Sequence, residues 1–314
     1  MWRAVLILIN VLMLGGCATS AVSAPSDREP FIVVLGIAQD GGIPQAGAFG
    51  EPGWTDPAQR RKVACVGIVE PRTGSRWMID ATPDFRDQLY ALNAAAGSRA
   101  GPALDGVFLT HAHIGHYTGL MFLGHESMGA REIPVHAMPR MKNFLETSGP
   151  WSQLVRLGNV SLKEMRAGEP VALGDGISVT PMFVPHRQEF SEVVGFRIAG
   201  PRRAVLYIPD IDAWEQWDAM GVRLEDELAK VDVAYVDGTF WANGEIPGRD
   251  MTGFPHPFIT KTMDRLAPLP ESERKKVRFI HLNHTNPAQR DGAERREIER
   301  RGFGVAEEGE HVGL

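Results

Sequence analysis

From residue 31 onward, short β-branched apolar runs alternate with longer stretches that read as helical. Strands are expected at 31–37, 63–69, 77–79, 106–109, 133–136, 177–184, 193–198, 204–208, 231–236 and 277–282. Helices are expected at 84–96, 119–127, 138–147, 213–220, 257–265 and 287–301. Gln39-Asp40-Gly41-Gly42 is a turn cluster that ends the first strand, and Pro71-Arg72-Thr73-Gly74 turns the second into the third. The charge run at 290–301 fits the solvated face of a late helix. About ten strands with helices between them predict an α/β fold built on large sheets.

The composition supports one large α/β unit. The chain has 314 residues, 43% of them hydrophobic and 23% charged, enough to bury a sizeable core. A formal net charge of −6, with no basic block in the middle of the chain, argues against a nucleic-acid partner held by phosphate neutralisation. With only Cys17 and Cys65, a disulfide framework or thiolate cluster is excluded, so any metal must rest on His and carboxylates.

The first residues read as an address. Met1-Trp2-Arg3 precedes an apolar run at 4–14 that is short for a bilayer span and fits a secretory signal. Leu14-Gly15-Gly16-Cys17 resembles a bacterial lipobox, which implies removal of 1–16 and acylation of Cys17. Residues 17–30 then form a tether, and 31–314 the folded domain. Ala18 after the cysteine implies the outer membrane, so the expected product is exported and lipid-anchored on the periplasmic face.

The chemistry concentrates in His111-Ala112-His113-Ile114-Gly115-His116, directly after a buried strand and before Thr118-Gly119 opens an apolar helix. Imidazoles at i and i+2 leaving a strand end converge on one ion, and the third, at i+5, faces a neighbouring ion or another coordination face. Neutral imidazole suits Zn²⁺, and also Fe²⁺ or Mn²⁺.

This string closely resembles the H-x-H-x-D-H signature of the metallo-β-lactamase-fold hydrolases. The resemblance implies an αββα sandwich of two mixed β-sheets flanked by helices, with metals at one edge. It also implies further ligands at strand ends: His186 in Val184-Pro185-His186, and Asp210, bridging two metals, in Tyr207-Ile208-Pro209-Asp210. His281 or His284, from Phe279-Ile280-His281-Leu282-Asn283-His284, is the last, with His281 preferred and His284 as ligand or proton donor. Gly41-Gly42-Ile43-Pro44-Gln45, His116-Tyr117-Thr118-Gly119-Leu120, Val236-Asp237-Gly238-Thr239 and Asn283-His284-Thr285-Asn286-Pro287 are similar to the pyrroloquinoline quinone biosynthesis protein B branch.

Gly115 stands where the signature has Asp. The expectation is therefore one tight site (His111, His113, His186, Asp210) and a weaker second one (His116, Asp210 and His281 or His284), completed by water, Asp212 or Asp237. Losing one carboxylate also leaves surplus positive charge, which suits an anionic small-molecule substrate. A metal lowers the pKa of bound water toward ~7, so the expected activity is hydrolysis of an ester, amide, lactone or phosphodiester. Asp210 would orient the nucleophile, and His256 or His284 would protonate the leaving group. Two other readings stand beside it: an iron-dependent oxygenase, and a metal- or ligand-binding lipoprotein without turnover. Asp80 is expected to brace the metal loop, Asp40 to line the pocket or form the turn, and Asp237, before Gly238-Thr239, to orient a ligand or form a turn. His125, His136 and His311 are assigned structural or surface roles, and Cys65 is expected to be buried and inert.

Overall fold

A computed structural model of the chain describes residues 29–97 and 101–314; the expected signal segment and all but the last two residues of the tether lie outside them. The first sheet contains β1 (Phe31–Gly36), β2 (Cys65–Glu70), β3 (Ser75–Ile79), β4 (Gly106–Phe108), β5 (Ile133–Ala137) and β6 (Val160–Glu164). The second contains β7 (Val171–Gly174), β8 (Ile177–Phe183), β9 (Val194–Ala199), β10 (Ala204–Ile208), β11 (Val233–Asp237), β12 (Val277–Ile280) and β13 (Gly304–Val305). The last strand, β14 (His311–Gly313), returns to the first sheet and pairs antiparallel with β1. The strand orders are β14-β1-β2-β3-β4-β5-β6 and β13-β12-β11-β10-β9-β8-β7.

Both sheets are mixed. β1 to β3 run antiparallel and β3 to β6 parallel, while β7 to β10 run antiparallel and β10 to β13 parallel. Alternation along β1 explains the layers. Ile32 and Val34 join the large core that includes Val179, Phe196 and Leu206 of the second sheet. Phe31, Val33 and Leu35 pack instead with Phe85 and Leu92 of the helix Phe85–Ala96. A strand covered on both faces has no polar side to show, which is why these runs read as continuously apolar. The outcome is the expected αββα sandwich.

The differences from the expected elements have local causes. β6 and β7 sit at the sheet edges and carry half-exposed positions, so their sequences lack a buried run. β13 and β14 are too short to leave a pattern. The helix expected at 287–301 is interrupted: Asn286 accepts from the Ala288 amide to cap a single turn, Pro287–Gln289, and Ala293–Arg300 starts separately after Gly292. The helix expected at 119–127 is instead a short helix, Ile114–Tyr117, followed by a 3₁₀ segment, Thr118–Leu123. Among the described residues no helix is long and apolar enough to cross a membrane. Cys65 is buried, and burial pushes its thiol well above the usual range, which makes it unreactive.

His136 lies flat against Phe108, with ring centroids 4.3 Å apart. Burial, helped by the charge of Lys163, lowers its pKa from 6.5 to about 4. The unfolded chain therefore takes up this proton below pH 6.5 while the folded protein refuses it until about pH 4, so acid favours unfolding across that window. His136→Phe should flatten the fall in unfolding free energy over this range by about 2–3 kcal/mol, measured by denaturant melts at several pH values. An unchanged pH profile would contradict it.

Candidate metal centre

The side chains of the centre leave strand ends, except His256, which comes from the loop between β11 and the helix Ile259–Leu266. β1 leads to Asp40, β3 to Asp80, β4 to the His111–His116 loop, β8 to His186, β10 to Asp210 and Asp212, β11 to Asp237, and β12 to His281. The two sheets meet here through a hydrogen bond from the Val194 amide to the Thr110 carbonyl, 3.1 Å. Asp80 and His281 hold positive φ, 70° and 64°, so the chain turns sharply where each side chain must face the centre.

Asp210 sits in the middle, almost fully buried. Its Oδ2 lies 2.9 Å from His116 Nε2, 3.4 Å from His281 Nε2 and 3.5 Å from His111 Nε2. Its Oδ1 lies 3.6 Å from His256 Nδ1 and 3.8 Å from His186 Nε2. Among the described residues, ligand atoms close enough to hold an ion together occur in four overlapping sets: His111, His113 and His186; Asp40, His116 and His281; His111, His116 and Asp210; and Asp210, His256 and His281. One carboxylate thus serves two clusters.

Each imidazole is held by one ring nitrogen. His116 Nδ1 donates to Asp80 at 2.7 Å, His186 Nδ1 to Asp212 at 2.7 Å, and His256 Nδ1 to Asp237 at 2.8 Å. His113 Nε2 pairs with Glu189 at 3.1 Å, while Thr110 and Thr239 hydroxyls hold His111 and His281 at 2.9 and 3.0 Å. Anchoring one nitrogen fixes the ring and turns the other toward a ligand; in His113 and His186 those second nitrogens, Nδ1 and Nε2, face each other at 3.2 Å. The free atoms fit a cation. Among the described residues, Nε2 of His111, His116 and His281 and Oδ1 of Asp40 are buried without hydrogen-bond partners, each an expense of about 1–3 kcal/mol that coordination would remove.

The electrostatics set His111, His113 and His281 apart from His116. Burial, then the nearby imidazoles, pushes His111 well below its usual range, and burial lowers His113 and His281, keeping them neutral as ligands must be. Burial opposes charge on His116 too, but Asp80, Asp210 and Asp40 together raise it well above normal. Burial likewise works against a carboxylate at Asp210, yet His281, His116 and His186 hold it well below the usual range. His256, buried but facing Asp237, Asp210 and Asp40, is pushed up to about 9.

Of the residues read from sequence, His111, His113, His116, His186, Asp210, His256 and His281 are brought together. His284 is not. Among the described residues it joins none of the ligand sets; its Nδ1 pairs with Glu51, and its carbonyl accepts from Gln289. The turn at His281 buries Leu282, whose amide donates to Ile37, and throws the next residues outward. Asp212, expected as a completing ligand, instead orients His186, and Asp237, expected as a completing ligand, a partner of one or a turn former, orients His256. Glu189 and the two threonines escaped sequence reading; Thr110 follows β4 closely and Thr239 follows β11, which was the one available signal. Beside the centre lies a cavity of about 340 Å³ lined by Asp212, Trp214, Phe254, His256, Lys261 and Arg265.

A carboxylate-bridged His cluster at the strand ends of an αββα sandwich defines a metallo-β-lactamase-fold protein. The family model described as the β-lactamase superfamily domain matches residues 75–287. Coenzyme PQQ synthesis protein B of Xanthomonas axonopodis pv. citri is 31% identical over 287 residues, spanning 82% of this chain and 90% of that protein. Among solved structures, Zn(2+)-bound PqqB from Methylobacterium extorquens is similar with a TM-score of 0.74 and 23% identity, covering 90% of this chain and all of that one. A diphosphatase from the PhnP family has a TM-score of 0.62 and 20% identity, over 91% and 97% of the two chains. At these identities the two structures speak for the fold. The chain belongs to the β-lactamase superfamily, in the branch of coenzyme PQQ synthesis protein B.

Proposed function

We propose that this chain is an exported, lipid-anchored, metal-dependent hydrolase acting on an ester, amide, lactone or phosphodiester of an anionic small molecule. The observation that carries the reading is Asp210, shared between imidazole clusters in which, among the described residues, Nε2 of His111, His116 and His281 is buried and unpartnered. His111, His113, His186 and Asp210 would hold one ion, and His116, His281 and Asp210 a second. Divalent ions there would supply an activated water and a Lewis acid, with zinc the first choice from the donor set.

The chain's own residues do the rest. Asp80, Asp212 and Glu189 hold His116, His186 and His113 in place. His256, steadied by Asp237, faces both the centre and the cavity, and is the proton donor to the leaving group. Lys261 lines the same cavity and rests over the Phe258 ring, placing a cation where an anionic substrate would enter. Arg265, nearby, is already engaged by Asp218 and Glu225. The expected anchor at Cys17 supports placement on the periplasmic face.

The test is metal removal. Protein stripped by a chelator should lose hydrolysis of bis-p-nitrophenyl phosphate, a lactone or a cephalosporin, and Zn²⁺ should restore it. Hydrolysis that survives stripping, or none on any substrate with metal bound, would end the proposal. A second reading draws on the relative named for coenzyme PQQ synthesis: an iron-dependent oxygenase, since His and carboxylate ligands also suit Fe²⁺. Iron in the purified protein and turnover that requires dioxygen would select it.

A further inference from the structure

We infer that the carboxylate missing from position 115 has been relocated: Asp40, on the loop after β1, ligates the second ion in its place. This rests on reading the cluster as a two-ion centre. A Cβ built on Gly115 would lie 2.1 Å from Asp40 Oδ1, 2.6 Å from its Cα and 2.9 Å from its Cγ. Real side chains do not approach so closely, and because the backbone of Asp40 is among the atoms met, a rotamer change cannot make room. The two positions compete for one volume. Where the superfamily signature has an aspartate reaching out from the histidine loop, this chain has glycine there and an aspartate reaching in.

Asp40 is aimed for that task. Its Oδ1 is buried and, among the described residues, unpartnered, 3.3 Å from His116 Nε2, and it forms a ligand set with His116 and His281. The loop that carries it is pinned to the strand end that carries His281. The Gln39 amide donates to the Leu282 carbonyl at 2.8 Å, Ala38 bridges Leu282, and the Asn283 side-chain amide donates to the Gln39 side chain. The Gly42 amide closes the turn on the Gln39 carbonyl at 2.8 Å. So the turn role and the pocket role expected for Asp40 are one arrangement: the turn delivers the carboxylate.

Two consequences follow. The second site keeps an anionic ligand besides Asp210, so it need not be the weak one. The surplus positive charge inferred from Gly115 is also cancelled, and preference for an anionic substrate then depends on Lys261 rather than on the ions.

The experiment is a metal count on the full chain in detergent, comparing wild type with Asp40→Ala, Asp40→Asn and Gly115→Asp. Zn²⁺ per chain is measured by mass spectrometry after gel filtration, and the second site is titrated with Co²⁺ and followed by its visible absorption. Wild type should hold two ions. Asp40→Ala should keep the first and bind the second at least about tenfold more weakly, with a changed Co²⁺ spectrum for that site alone. Asp40→Asn, which keeps the shape, should also weaken the second ion while melting like wild type. Gly115→Asp should lower the melting temperature without tightening the second ion, because the space is taken. Two ions at wild-type affinity in Asp40→Ala, or a tighter second ion with an unchanged melt in Gly115→Asp, would overturn the relocation. Two ions in wild type with no hydrolysis would sink the hydrolase reading and leave this assignment intact.

Discussion

Asp210→Asn is expected to empty the centre. Metal content should fall at both clusters and turnover by about 100-fold or more, since partners that merely orient a ligand already cost about 10–100-fold when lost. The residue is 3% exposed, and its carboxylate lies within 4 Å of His111, His116, His186, His256 and His281. The amide keeps the shape of the carboxylate, so the β10 end should still fold; what goes is the negative charge that five imidazoles face. Metal analysis and the chelation assay on the same preparation report the two effects together. Retention of both ions and of wild-type turnover would mean that Asp210 bridges nothing.

Asp80→Ala should act on folding as well as on the site, lowering unfolding free energy by about 3–5 kcal/mol, the range for removing one partner of a buried charged pair. Asp80 is fully buried and accepts from the Thr110 amide at 2.8 Å, the Thr110 hydroxyl at 2.9 Å and His116 Nδ1 at 2.7 Å. Alanine would strand these donors at the junction of β3 and β4. It would also have to adopt φ 70°, a left-handed conformation that Asp and Asn tolerate better. Asp80→Asn preserves the backbone preference and the volume, so it should lose less. Thermal melts of the two variants decide the matter; an alanine variant melting with wild type would show that the brace is dispensable.

The interior strands were legible because burial on both faces leaves a continuous apolar run, as in Phe31–Gly36 and Val233–Asp237. Edge strands were not, since Val160–Glu164 and Val171–Gly174 face solvent in part and obey no such constraint. The histidine loop was legible for a related reason. His111 and His113 share a direction only if a strand ends just before them, and β4 ends at Phe108.

By itself, then, the sequence determined what short-range preferences can encode: which runs are buried, where strands stop, and that histidines and carboxylates cluster at those stops. Only the tertiary structure decided which of them meet. His281 was separated from His284 by a left-handed turn and the burial of Leu282. Asp212 and Asp237 were assigned to orienting imidazoles by which nitrogen they reach. Asp40 met Gly115 because β1 and β4 end on the same edge of one sheet, where two segments remote in sequence compete for one volume. Steric exclusion between distant segments leaves no periodicity in either, so a glycine that looked like a lost ligand was the room made for another.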